Sequence, residues 1–124
     1  MSTRPRKIYL LHFCRPFGHA EHYLGSTDHL SHRLRKHARG EASTLVRHVV
    51  AAGIPIVVAD VREGDRTEER RLKNRGGSKS RHCPICRGEL TLEQAMRRIR
   101  ANRILESEGV APVADALYQL AAGA

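Results

Sequence analysis

Residues Lys7 to Phe13 read KIYLLHF, a nearly continuous apolar run of β-forming residues. Such a run, too short for a buried helix, is expected to be a strand buried on both faces. It constrains the rest of the chain, because the other segments must cover it. Pro16 and Gly18 mark a turn after it, and His22 to Gly25 (HYLG) follows as a second strand. The two are expected to pair as an antiparallel hairpin. Ser26, Thr27 and Asp28 are all residues that cap helix N-termini. They announce a helix to about Arg39, with Leu30, Leu34 and Ala38 as its apolar stripe and Gly40 as its stop. Ser43 or Thr44 opens a second helix ending at Gly53, and Ile54 to Val61 (IPIVVADV) reads as the third strand.

A short, highly charged helix is expected from Thr67 to about Asn74, broken by Gly76-Gly77-Ser78. His82 to Gly88 (HCPICRG) reads as a compact turn. Thr91 and Gln94 fit a capping box that opens a helix to about Glu106. A last helix is expected from Pro112 to Ala121. The order is ββααβα plus C-terminal helices, an α/β sandwich around a small three-stranded sheet. Gly76–Arg81 is the best linker candidate. The chain of 124 residues therefore divides into a main unit, 1–88, and a helical extension, 89–124. Apolar residues between Val110 and Leu120 either seal the domain or form a dimer contact.

The formal net charge is +9. Between Arg62 and Arg103 there are 13 basic and 6 acidic residues, and arginine outnumbers lysine there. Neutralising phosphates releases counterions, and a guanidinium can grip phosphate with two bonds, so a nucleic-acid partner is expected. The basic stretches lack a clean apolar face, which argues against a membrane surface. No apolar run approaches the roughly 18–20 residues of a membrane span. Three cysteines without a secretory signal argue against a disulfide scaffold. A cytoplasmic protein with reduced thiols is expected.

Three sets of residues carry candidate chemistry. Tyr9 and Tyr23 lie in paired strands, where a phenol can orient or deprotonate an attacking water; packing alone also explains two strand tyrosines. Arg33 and His37 stand four residues apart on one helix face, at the border of the apolar stripe. They can clamp a phosphate and shuttle a proton, or simply belong to a solvated basic face. Glu69 shares a face with Leu72 and Lys73. An inward carboxylate among arginines suits a hard divalent ion, whereas an outward one would pair with Lys73.

In order and spacing these elements resemble the GIY-YIG nuclease superfamily. Lys7-Ile8-Tyr9 stands where that family has its GIY tripeptide, and Tyr23-Leu24-Gly25 where it has YIG. Arg33 and His37 follow at similar distances, and Glu69-Arg70-Arg71-Leu72-Lys73 looks like the helix with the metal-ligating Glu. The resemblance spans about Lys7 to Gly88. It implies a three-stranded antiparallel sheet flanked by helices, and DNA phosphodiester hydrolysis with one Mg or Mn ion. It implies Tyr9 as general base or water-orienting group and Tyr23 as its support. Arg33 would stabilise charge, His37 would assist, and Glu69 would hold the metal. Gly25 would give room near the phosphate. Lys36, Arg70, Lys73, Arg75, Lys79 and Arg81 are the expected grips on the nucleic-acid backbone. Two departures stand out: Lys7 replaces the first glycine, and neither Asn74 nor Asn102 clearly matches the Asn that many members carry after the Glu. A non-catalytic nucleic-acid-binding module on the same fold is the alternative.

Cys83-Pro84-Ile85-Cys86 has the spacing of half a zinc site. His82, Cys14 and His12 are available as further ligands, or two chains could share one four-thiolate site. A redox pair, or buried thiols in a tight turn, would use the same residues. His19, His22, His29 and His32 crowd a turn and a helix start at irregular spacing, as expected of solvated or phosphate-adjacent histidines.

Overall fold

The computed structural model describes residues 5–112. A three-stranded antiparallel sheet of order β2-β1-β3 forms its centre. Strand β1 (Lys7–Phe17) lies in the middle, β2 (Ala20–Thr27) on one edge and β3 (Ile56–Glu63) on the other. β1 and β2 both run longer than their apolar segments suggest, because the hairpin closes tightly at Gly18, whose φ of 60° suits glycine; β3 keeps its expected length but starts and ends two residues later. β1 is buried on both faces, as its apolar run requires. Tyr9, Leu11 and Phe13 enter the main core, while Ile8 and Leu10 enter a smaller one.

Helices α1 (Leu30–Ala38) and α2 (Thr44–Ala51) cover the main core through Leu34, Val46 and Val49. The cap of α1 is the His29 side chain, which accepts the backbone N–H of His32. Thr27 instead accepts the N–H of His29, so it holds the approach to the helix, and the cap itself falls to His29 and not to Ser26, Thr27 or Asp28. α3 (Arg66–Asn74), capped by Asp65, lies over the opposite face with Leu72 against the smaller core. The segment expected as one helix from Leu92 to Glu106 is two: α4 (Leu92–Arg98), opened by the Thr91/Gln94 capping box, and α5 (Asn102–Ser107). The break at Ile99, which adopts an extended conformation, lets Asn102 turn inward.

α4 and α5 share the main core through Met96, Ile99, Ile104 and Leu105. Asn102 is fully buried. Its Oδ1 accepts the N–H of Val58 at 2.7 Å, and its Nδ2 donates to the carbonyls of Val58 and Ala95, both at 3.0 Å. One side chain thus occupies both outward backbone groups of Val58, as a fourth strand would, and blunts the β3 edge. Asn102→Ala strands three buried polar groups and is expected to cost roughly 2–4 kcal/mol in urea unfolding. A loss below about 0.5 kcal/mol, the scale of an ordinary surface change, would show that water replaces the amide. The helix expected from Pro112 to Ala121 lies, beyond Pro112 itself, outside the described residues.

Candidate active site and a second cluster

A cavity of about 410 Å³ opens at the free edge of β2, between α1 and α3. The sheet side contributes Arg6, Tyr9, Tyr23, Gly25 and Ser26; α1 contributes Arg33; α3 contributes Arg66, Glu69, Arg70 and Lys73. Tyr9, Tyr23, Arg33 and Glu69, separated by up to sixty residues in sequence, therefore line one pocket. Sheet register explains the pair of phenols. Tyr9 lies opposite Gly25 and Tyr23 opposite Leu11, so the tyrosines are diagonal neighbours on one face, within reach of long side chains. Their ring centroids are 6.2 Å apart. The Tyr9 ring crosses the space that a side chain at position 25 would fill: a Cβ there would lie 2.6 Å from Tyr9 Cζ.

His37 does not line the cavity. It is buried behind Tyr9, with Nε2 2.6 Å from the phenol oxygen and its ring edge-on to Tyr23. Arg33 and His37 do share a helix face, but a single turn separates a guanidinium in the pocket from an imidazole in the core. Burial, and then the charge of Arg33, push His37 down to about 4, so the ring is neutral at ordinary pH. Its Nδ1 has no hydrogen-bond partner. Burial, then Tyr23 and Glu69, raise Tyr9 far above the usual phenol range against the opposing pull of Arg33. Tyr9 and His37 are therefore a neutral pair joined by one short hydrogen bond.

On α3, Glu69 is four-fifths buried at its side chain and pairs with Lys73 at 3.1 Å. Burial alone would raise its carboxyl, but hydrogen bonds from Ser26 and Lys73, with the charges of Lys73 and Arg6, hold it below the usual range. Glu69 thus faces inward and is ion-paired at once, combining what the sequence offers as alternatives. It is the one carboxylate among the described cavity walls, against five cations: Arg6, Arg33, Arg66, Arg70 and Lys73. Arg6, Ser26 and Arg66 do not stand out in the sequence. Arg6 looks like part of a frayed arm, yet its guanidinium donates to the Ser26 hydroxyl at 3.2 Å. Lys36, Arg75, Lys79 and Arg81 lie outside the cavity walls. Arg81 donates to the Arg75 carbonyl at 2.9 Å, which ties two of these exposed cations into one patch beyond α3.

A larger groove of about 770 Å³ runs between α1, β3 and the α4–α5 pair. Arg98, Arg100 and Arg103 line it with Leu30, Ile99 and Ile104, but none of its described walls is a phenol, imidazole or thiol.

The Cys83/Cys86 turn packs elsewhere, against the hairpin. The ring nitrogens of His12 and His22 and the sulfurs of Cys83 and Cys86 all lie within 4.8 Å of one another, a cluster that can hold a metal ion. His12 was among the available partners in the sequence; His22 was not, and its 5% exposure overturns the expectation of a solvated ring. Hairpin register makes His12 and His22 direct cross-strand partners, and that register is not written in the alternation of either strand alone. Cys14 stays outside the cluster, and burial pushes its thiol up to about 12. His82 is exposed, and its Nε2 accepts a hydrogen bond from Arg81 Nε at 3.2 Å.

No helix among the described residues is long and apolar enough to cross a membrane. No protein-family model, curated protein or solved structure matches the chain.

Proposed function

We propose that the protein is a metal-dependent endonuclease of the GIY-YIG type that hydrolyses DNA phosphodiester bonds. The reading rests on one observation: two phenols, a guanidinium and a lone carboxylate, distant in sequence, line a single strongly cationic cavity. The five cations would draw in the phosphate backbone. Contacts of that kind position nucleic acid without reading its bases, so the target is a DNA structure or a loosely defined sequence. Arg98, Arg100 and Arg103 in the neighbouring groove would hold flanking phosphates.

With a phosphate in the cavity, Arg33 would donate to its non-bridging oxygens and stabilise the charge that grows there. Tyr9 would orient the attacking water. The water's proton would pass to the Tyr9 oxygen while the phenol's own proton moves to His37 Nε2, 2.6 Å away. His37 is neutral before the step and so has a lone pair at Nε2 to receive it; burial and Arg33 disfavour the resulting imidazolium, and the negative charge of the bound phosphate would offset that cost. Tyr23, edge-on to His37, would keep both rings in place. The hard oxygen donors here, the Glu69 carboxylate beside the Ser26 hydroxyl, suit Mg or Mn with retained waters. Held by Glu69, such an ion would polarise the phosphate and stabilise the leaving oxygen. Metal affinity of the free chain should be weak, since five cations surround one acid; bound phosphates would reverse that balance.

The test is nicking of supercoiled plasmid and of single strands with Mg or Mn, against a chelator control. Tyr9→Phe should slow cleavage about 10²–10⁴-fold, the range for a lost proton-transfer group. It also strands His37 Nε2 and should cost about 1–3 kcal/mol of stability, so rates are compared well below its melting temperature. Parent protein that binds DNA without cutting would favour the non-catalytic module, as would the engagement of Asn102 with Val58, which leaves that amide unavailable for catalysis. Unchanged cleavage by Tyr9→Phe would remove the phenol from the mechanism.

A further inference from the structure

We propose that His12, His22, Cys83 and Cys86 bind one structural zinc ion within a single chain, pinning the segment after α3 to the hairpin. The site shares no residue with the Glu69 cavity, so it stands whether or not the protein is a nuclease.

The spacing of the donor atoms carries the argument. His12 Nδ1 lies 3.2 Å from His22 Nε2, 3.6 Å from Cys83 Sγ and 3.7 Å from Cys86 Sγ. Cys86 Sγ lies 3.3 Å from His22 Nε2. A tetrahedral zinc with ordinary Zn–N and Zn–S lengths has N···N edges of about 3.3 Å and N···S edges of about 3.6 Å. All four distances match those edges to within about 0.3 Å. Hydrogen bonding does not account for the arrangement. A ring nitrogen carries one hydrogen or one lone pair, yet His12 Nδ1 faces three heteroatoms at once. A cation at the centre satisfies all four donors together, the two thiols releasing their protons to solvent.

The donor set also selects the metal. Two thiolates and two imidazoles favour zinc over Mg or Ca. Cys83 is fully buried and His22 nearly so, and four protein ligands leave no open coordination position, the mark of a structural site. Exposed Cys86 offers the way in.

The fold has a use for such a clamp. α3 has no fully buried residue, and the core beneath it is small: Ile8, Leu10, Leu24, Ala59 and Cys83, with Leu72 and Ile85 at its border. Zinc would fix the segment after α3, which ends at Asn74, to both strands of the hairpin through Cys83 and Cys86, and so help hold α3 against β2.

The test uses the full chain purified from zinc-supplemented culture without chelator. Elemental analysis is expected to give one zinc per chain, and cobalt exchanged into the site should show tetrahedral d–d bands with thiolate charge transfer. Cys86→Ser and His22→Gln should lose stoichiometric zinc, while Cys14→Ser keeps it. Removing zinc from the parent should speed hydrogen exchange in α3 and in residues 77–88. Folded parent with only trace zinc and no cobalt spectrum would overturn the proposal, and so would a Cys83–Cys86 disulfide in freshly purified protein. Half a zinc per chain, unaffected by His22→Gln, would replace it with a four-thiolate site between two copies. If either ligand variant fails to fold, the parent's stoichiometry and cobalt spectrum still decide.

Discussion

Glu69→Gln is expected to slow cleavage about 10³-fold while leaving DNA binding intact or tighter. The substitution keeps the shape of the side chain and can keep the contact to Ser26. It removes the one negative charge that five cavity cations surround, so the attraction for a phosphate backbone rises. The fold should tolerate it: the Glu69–Lys73 pair involves a half-exposed lysine, and such pairs contribute about 0–1 kcal/mol. Catalysis should not tolerate it, because an amide is a poor ligand for a hard divalent ion. A rate loss of about 10³-fold, or roughly 4 kcal/mol of transition-state stabilisation, is expected in single-turnover nicking at saturating protein. Gel-shift titration on the same substrate supplies the binding arm. Retained cleavage would mean that the acid is only the partner of Lys73, and the catalytic assignment would fall. Weaker binding would mean that its carboxylate organises the cations and does not merely offset them.

Much of this molecule is local, and the local parts are readable. The apolar run through β1, the glycine stops of α1 and α2, the capping box of α4 and the charged α3 each follow from a few adjacent residues. Even the face shared by Glu69 and Leu72 is a matter of helical spacing. What is not legible in the sequence depends on register or on tertiary choice. Arg6 looks like solvated chain until β1 brings it beside Ser26. Helical spacing puts Arg33 and His37 on one face, but only packing against Tyr9 decides that the imidazole is buried and the guanidinium is not. The interruption at Ile99 has no proline or glycine to announce it; it becomes intelligible once Asn102 is seen to hold Val58. The His12/His22 pair requires knowing that the hairpin aligns these two residues directly. One residue of slippage would send His22 to the other face.

Gly25→Ala should be the most damaging single-methyl change in the cavity. An alanine in a strand ordinarily gains about 0.5–1 kcal/mol over glycine, because glycine loses more backbone entropy on folding. Here the added Cβ would stand 2.6 Å from both Cζ and the hydroxyl oxygen of Tyr9, and 2.8 Å from Tyr23 Cε1. Neither ring can yield cheaply. Tyr9 is 1% exposed and held to His37 by its 2.6 Å bond, and Tyr23 packs against both rings. Overpacking of that kind costs about 1–3 kcal/mol, which exceeds the entropic gain, so the net change in urea unfolding should be destabilising. The catalytic effect should be larger. Relieving the clash moves the phenol by about an ångström, and a displacement of that size costs on the order of 100-fold in rate. The two readouts separate the causes. A variant that is stabilised would show that the Tyr9 ring does not cross position 25. A variant that is destabilised but cuts at the parent's rate would show that the phenol can shift without penalty, and that its exact placement over Gly25 is a packing feature and not a catalytic one.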